Sequence, residues 1–222
     1  MTFSLVGRCR RTGMLGAVVS SSSPAVAARC VAARAAVGAA CSQSLTDPML
    51  RDALLDRLAA GASASEALED VVKHAAGIAY RQLAVVDAGG RGAAYSGPRS
   101  LGRYAHAVAA DCASAGNLLS RASVVEEMVS SFNATVDAAL GDRLIASLRA
   151  GAAAGGEESP VHSAGLLIVD AVAWPVTDLR VDWSDGDPIA ELALLWERWK
   201  PLAAAYVERA LRPSAAAAAP RG

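Results

Sequence analysis

Apolar runs broken by short polar punctuation divide this chain into β-type and helical stretches. TFSLVGR and MLGAVVSS flank the turn-like RRTG and read as a hairpin. RQLAVVDAGGRGAAYSG reads as a second hairpin, two runs joined around Gly89-Gly90. AAVGAACSQSL, HAVAADCASAG, HSAGLLIVD and TDLRVDW complete the β-type set. Several of these are apolar at nearly every position, the signature of burial on both faces.

Capping chemistry places the helices between them. Ser23-Pro24, Asp47-Pro48 and Asp187-Pro188 each set a side-chain oxygen before a proline suited to the first helical turn. Ser63 with Glu66, and Ser123 with Glu126, have the spacing of a capping box. Gly61 and Gly77 stand where helices should stop. The expected helices lie near 24–34, 48–60, 64–76, 123–133, 138–150 and 188–211. Strand pairs, then helices, then strand pairs again predict an α+β fold of two packed, mainly antiparallel sheets with helices outside. One domain over 1–212 is expected, followed by a disordered Ala-rich tail over 213–222, with a mobile Gly-rich loop in AAAGGEESP.

Composition narrows the function classes. The 222 residues are 53% hydrophobic and 19% charged, enough apolar material for a sizeable core. A formal charge of −1 gives no electrostatic case for nucleic acid or an anionic membrane. Residues 1–46 carry five arginines and no acid, as transit peptides do, yet their strand-like alternation favours a globular start. No run approaches the ~18 apolar residues of a membrane-spanning helix, so a soluble protein is expected, and the lack of paired cysteines makes the cytoplasm its expected compartment. Cys9, Cys30, Cys41 and Cys112 lack paired spacing and read as reduced, partly buried thiols. His74, His106 and His162 are dispersed, so neither a metal nor another cofactor is expected.

Thr2 raises the main chemical question. If Met1 were removed, its hydroxyl and a free α-amine would share one residue. An amine with a reference pKa near ~8 can take the hydroxyl proton, so no separate histidine is needed. The alternative is a threonine that merely favours a strand.

TFSLVGR, SSSSPAVAARC, VGAACSQSLTDP, YRQLAVVDAGGRGAAYSG, AGNLLS, PVHSAGLLIVD and DLRVDW together resemble a bacterial family of unknown function grouped with the N-terminal-nucleophile (Ntn) hydrolases. The resemblance runs from Thr2 to about Arg212 and implies a four-layer α-β-β-α sandwich. It also implies amide hydrolysis, with Thr2 as nucleophile. A basic residue is expected from that resemblance where Ser22 stands, and its absence removes a cation from the site.

Other residues are assigned around that centre. Asn117 follows Gly116 at a strand end and is the expected oxyanion donor, or else a turn asparagine. Ser21, on the strand beside the first, is expected to face Thr2, leaving Ser23 as a helix cap. His162 and Ser163 open an apolar strand and are expected at a substrate pocket, the alternative for His162 being an ordinary strand-end residue. Asp47 is assigned both as a helix cap and as a substrate-side carboxylate. Arg180 and Asp182 share a strand face and are expected to pair with each other or across to a neighbouring segment. Trp196 and Trp199 form a buried or subunit-facing stripe. The expected function is cleavage of a small-molecule amide by a self-associating enzyme. The alternative is a binding or assembly protein that keeps the fold without the chemistry.

Overall fold

The computed structural model describes residues 2–214; the rest of the expected tail, and Met1, lie outside the described residues. Two antiparallel sheets carry the chain. The first hairpin is β1 (Thr2–Arg8) with β2 (Leu15–Ser21), in a register that sets Phe3 opposite Ser20. After the short helix α1 (Val26–Cys30) come β3 (Val31–Arg34) and β4 (Gly38–Ser44). Helices α2 (Pro48–Ala59) and α3 (Ala64–His74) precede the second hairpin, β5 (Arg81–Asp87) and β6 (Gly92–Ser96). A third hairpin follows, β7 (Ala105–Ala109) and β8 (Cys112–Asn117). Then come α4 (Val124–Ala134), α5 (Leu140–Ala153), β9 (Ser163–Val169), β10 (Thr177–Val181), α6 (Pro188–Trp199) and α7 (Ala203–Leu211).

The six-stranded sheet runs β10-β9-β2-β1-β8-β7 and the four-stranded sheet β3-β4-β5-β6. Side-chain alternation explains how one sheet serves two cores. Phe3 and Leu5 point to one face, where Met128 and Phe132 of α4, Leu144 and Leu148 of α5, and Leu192 of α6 cover them. Val6, Ala17, Val19 and Ala115 point to the other, where they share a cluster with Ala39, Cys41, Ala84 and Val86 of the four-stranded sheet. On that sheet's far face, Leu83 and Val85 pack with Leu54 and Leu58 of α2 and Val71 of α3.

Several local expectations change. The helix expected over 24–34 is cut to five residues, because Val31–Arg34 pairs as a strand with Gly38–Cys41. It has no serine cap: Ala25 in a left-handed conformation precedes it, and Ser23 does not cap it. Ser123 makes no cap hydrogen bond either, whereas Ser63 and Glu66 form the full capping box. HAVAADCASAG is a hairpin rather than one strand, turning at Asp111 with φ of 63°. The last helix is two: Pro201 cannot donate to the helical ladder, and the chain breaks between Trp199 and Ala203. Arg180 pairs with Asp178, at 2.6 and 2.8 Å, rather than with Asp182. Trp196 and Trp199 dock within the chain, donating from Nε1 to Asp142 and to Thr177 respectively. All four cysteines are free and buried. Among the described residues no helix is long and apolar enough to cross a membrane.

Candidate functional site

The seam between the sheets is apolar along most of its length and turns polar at the end where β1 starts. Thr2 continues the inward-facing row of Ser4 and Val6, Ser21 that of Val19, and Asn117 that of Ala115. The sheet order sets β1 between the other two, with Thr2 directly opposite Asn117. Thr2 Oγ1 donates to Ser21 Oγ at 3.4 Å, and Thr2 is only 5% exposed.

Facing them from the four-stranded sheet are two glutamines. Gln43 Nε2 donates to Thr2 O at 3.3 Å and to Gln82 Oε1 at 3.2 Å, and its Oε1 accepts from Ser4 Oγ at 2.7 Å. Gln82 donates to Gly116 O at 2.9 Å and to Ser96 Oγ at 2.8 Å. Its Oε1 also accepts from Asn117 Nδ2 at 3.0 Å, while Asn117 Oδ1 is buried without a partner. One amide proton of the expected oxyanion donor is thus already committed. In a buried seam each such bond fixes its neighbour, so the network holds the start of β1 in place.

The Gly-rich segment after α5 is pinned rather than mobile, against expectation. Gly155 and Gly156, with φ of 118° and 55°, end the helix and turn the chain back. Ser120 N then donates to Gly156 O and Glu158 N to Leu118 O, both at 3.0 Å, bridging Glu157 to Leu119. The bridge carries Glu157 to the polar end, 7% exposed, where its Oε2 accepts from Ser22 N at 3.2 Å. Its Oε1 is buried without a hydrogen-bond partner. Burial pushes the Glu157 carboxyl up to about 7, against the pull of the amino-terminal charge and of Ser22.

The other expected site residues divide. Ser163 stands opposite Ser21 in the β2–β9 register, but its hydroxyl is used locally: it donates to Ser23 O at 2.6 Å and accepts from Val26 N at 3.3 Å. His162 N donates to Ser21 O at 2.8 Å, its Nδ1 donates to Ser184 O, and its ring stacks on Trp183 at 4.3 Å. Asp47 is engaged at the start of α2, its side chain accepting from Met49 N at 3.1 Å. Glu157, Gln43 and Gln82 were not singled out from the sequence. The glutamines had a signal, an amide inside an otherwise apolar strand.

The site lies inside the stretch by which the chain is classified: residues 2–192 match the model of a family of unknown function, DUF1028. The chain belongs to that family. A crystal structure carrying the same family model, protein SPO2555 from Silicibacter pomeroyi, is 28% identical with a TM-score of 0.83. The alignment covers 89% of this chain and 85% of that one, so the two share a fold. Anbu from Hyphomicrobium sp. strain MC1 aligns over 93% of this chain and 97% of its own, at 11% identity and a TM-score of 0.43. Anbu, an ancestral β-subunit, from Yersinia bercovieri gives 9% and 0.40 over the same shares. Similarity that low carries no argument about this chain. No curated protein matches it.

Proposed function

We propose that this DUF1028 member is an Ntn-type amidohydrolase with the α-β-β-α layering of that group, acting on a small-molecule amide through Thr2. The observation that carries the proposal is the convergence of Thr2, Ser21 and Asn117 at one end of the inter-sheet seam, with Thr2 Oγ1 hydrogen-bonded to Ser21. Removal of Met1 would place an amine on the residue that bears the hydroxyl. Thr2 Oγ1 would attack the amide carbonyl while that amine takes the hydroxyl proton and then delivers it to the leaving nitrogen. The second proton of Asn117 Nδ2 would steady the oxyanion, with Gln82 holding the amide in orientation. Water would then cleave the resulting ester.

Intact mass and an acylating probe test this together. Active protein should lack Met1 and take one acyl group on Thr2, and Thr2→Ala should abolish the adduct. Active protein that keeps Met1, or labelling confined to a cysteine, refutes the mechanism. A second reading, a binding or assembly protein on the same fold, is favoured by the commitment of Asn117 Nδ2 to Gln82. Ligand binding with no adduct and no turnover across a panel of amides would select it.

A further inference from the structure

Glu157 lies where the sheet order leaves it little choice of partner. Its backbone bridges to Leu119, two residues past the end of β8, and its carboxylate reaches Ser22, one residue past the end of β2. In the sheet, β1 lies between those two strands and begins at Thr2. A side chain that spans from one flank to the other therefore crosses in front of the start of β1. Phe3 confirms the proximity from below: a Cβ added at Gly156 would lie 3.6 Å from its ring.

The carboxylate is poorly compensated for so buried a group. Among the described residues Oε2 has one backbone donor and Oε1 has none. Among the described residues no side-chain cation pairs with it. Arg103 donates to Leu119 O and Ser120 O, His162 is turned to Ser184 O, and Glu158 is exposed. The charge that does act on it is the amino terminus of the chain. A buried carboxylate lacking a partner is costly, and positive charge at the start of β1 would remove that cost.

We infer that Glu157 is a positioning residue of the site: its Oε1 accepts from the α-amino group of Thr2 once Thr2 leads the chain, and so orients that amine beside its own hydroxyl. This rests on the proposed processing of the chain, but not on turnover. Pairing with the carboxylate favours the charged amine. When one ammonium proton passes to the carboxylate, the amine is left neutral and can accept the hydroxyl proton. The two groups titrate as a pair.

The test uses the full chain prepared with Thr2 as its first residue, confirmed by intact mass. Its α-amine is titrated by trace labelling with an acylating reagent between acid and alkaline pH, and the Thr2 peptide is read by mass. In Glu157→Gln the amine midpoint should fall by about 1 pH unit relative to wild type, the low end for a nearby opposite charge. Glu157→Asp, which keeps the charge on a shorter arm, should fall less and keeps the test readable if the amide variant folds poorly. An unchanged or raised midpoint in Glu157→Gln, or one equal in all three proteins, overturns the inference. A shifted midpoint without amide turnover would keep the pairing and remove the hydrolase. An unshifted midpoint in an active enzyme would do the reverse.

Discussion

Strand β1 has a buried acid at each end, and the two are treated differently. Asp111, beyond the Arg8 end, and Glu157, beyond the Thr2 end, are each 7% exposed. Asp111 accepts from Arg8 at 3.0 Å and from Arg10 at 2.7 Å, so both carboxylate oxygens face a guanidinium. Among the described residues Glu157 has a single backbone donor and an oxygen with no hydrogen bond. Burial is therefore the same and compensation is opposite. The Arg8 end is built as a closed ion-paired corner around the β7–β8 turn. The Thr2 end keeps a buried carboxylate that no side-chain cation of the described residues compensates, beside a hydroxyl and an amide, an arrangement stability alone does not call for.

The same chemical change at both ends should have opposite effects. Asp111→Asn tolerates the left-handed turn but leaves Arg8, a largely buried cation, without its carboxylate; Arg10 is mostly exposed and adds little. A loss of about 1–3 kcal/mol in urea unfolding at pH 8 is expected. Measured with Met1 in place, Glu157→Gln should raise stability at that pH, because it removes a buried carboxylate that no side-chain cation pairs. Equal losses at both ends would erase the distinction.

The pH dependence of Glu157 sharpens the same contrast. Its folded pKa, raised from 4.5 to about 7, means the folded protein binds this proton more tightly than the unfolded chain. The stability it gives is fully present below the ordinary glutamate range and is lost as pH rises through about 7. The loss is on the order of 3 kcal/mol if Glu157 acts alone. Wild type minus Glu157→Gln, followed by urea unfolding from pH 4 to pH 8, should fall by that order; a flat difference would mean the carboxyl is not buried in solution.

How far the sequence carried to these two ends differs for a physical reason. The β1–β2 hairpin and the period-two rows were legible from TFSLVGR and MLGAVVSS, and Ser21 beside Thr2 follows from their antiparallel pairing. Asn117 was legible as a strand end, but its bond to Gln82 depends on how the two sheets stack. Glu157 was not legible: an acid in AAAGGEESP looks solvated until the two glycines turn it back onto Leu118–Ser120, a contact between distant segments. The arginine cage of Asp111 was hidden likewise, since HAVAADCASAG gave no sign of a turn until Asp111 took positive φ. Local capping was read correctly at Asp47, Ser63 and Asp187. Ser23 failed because its carbonyl accepts from Ser163 instead and strand pairing claimed the residues after Cys30. Pro201 was decisive for the split of the last helix and lay in plain view.

The smallest expected effect concerns Asp47, which the sequence placed both at a helix end and at the substrate. It neighbours the polar end through its carbonyl, which accepts from Ser42 Oγ at 2.7 Å, one residue from Gln43. Its carboxylate is occupied by Met49 N, with Pro48 at the first helical position. If capping is its whole role, Asp47→Ala should cost about 1 kcal/mol in urea unfolding and leave the Thr2 labelling rate unchanged. Asp47→Asn keeps a capping oxygen and removes the charge, so it should match wild type in both measurements. A fall in Thr2 labelling in the asparagine variant, with stability intact, would mean that the charge of Asp47 is felt at Thr2. The polar end would then hold two acids and extend across the seam to the start of α2. Equal labelling in all three proteins would leave Glu157 as the acid that separates this end of β1 from the other.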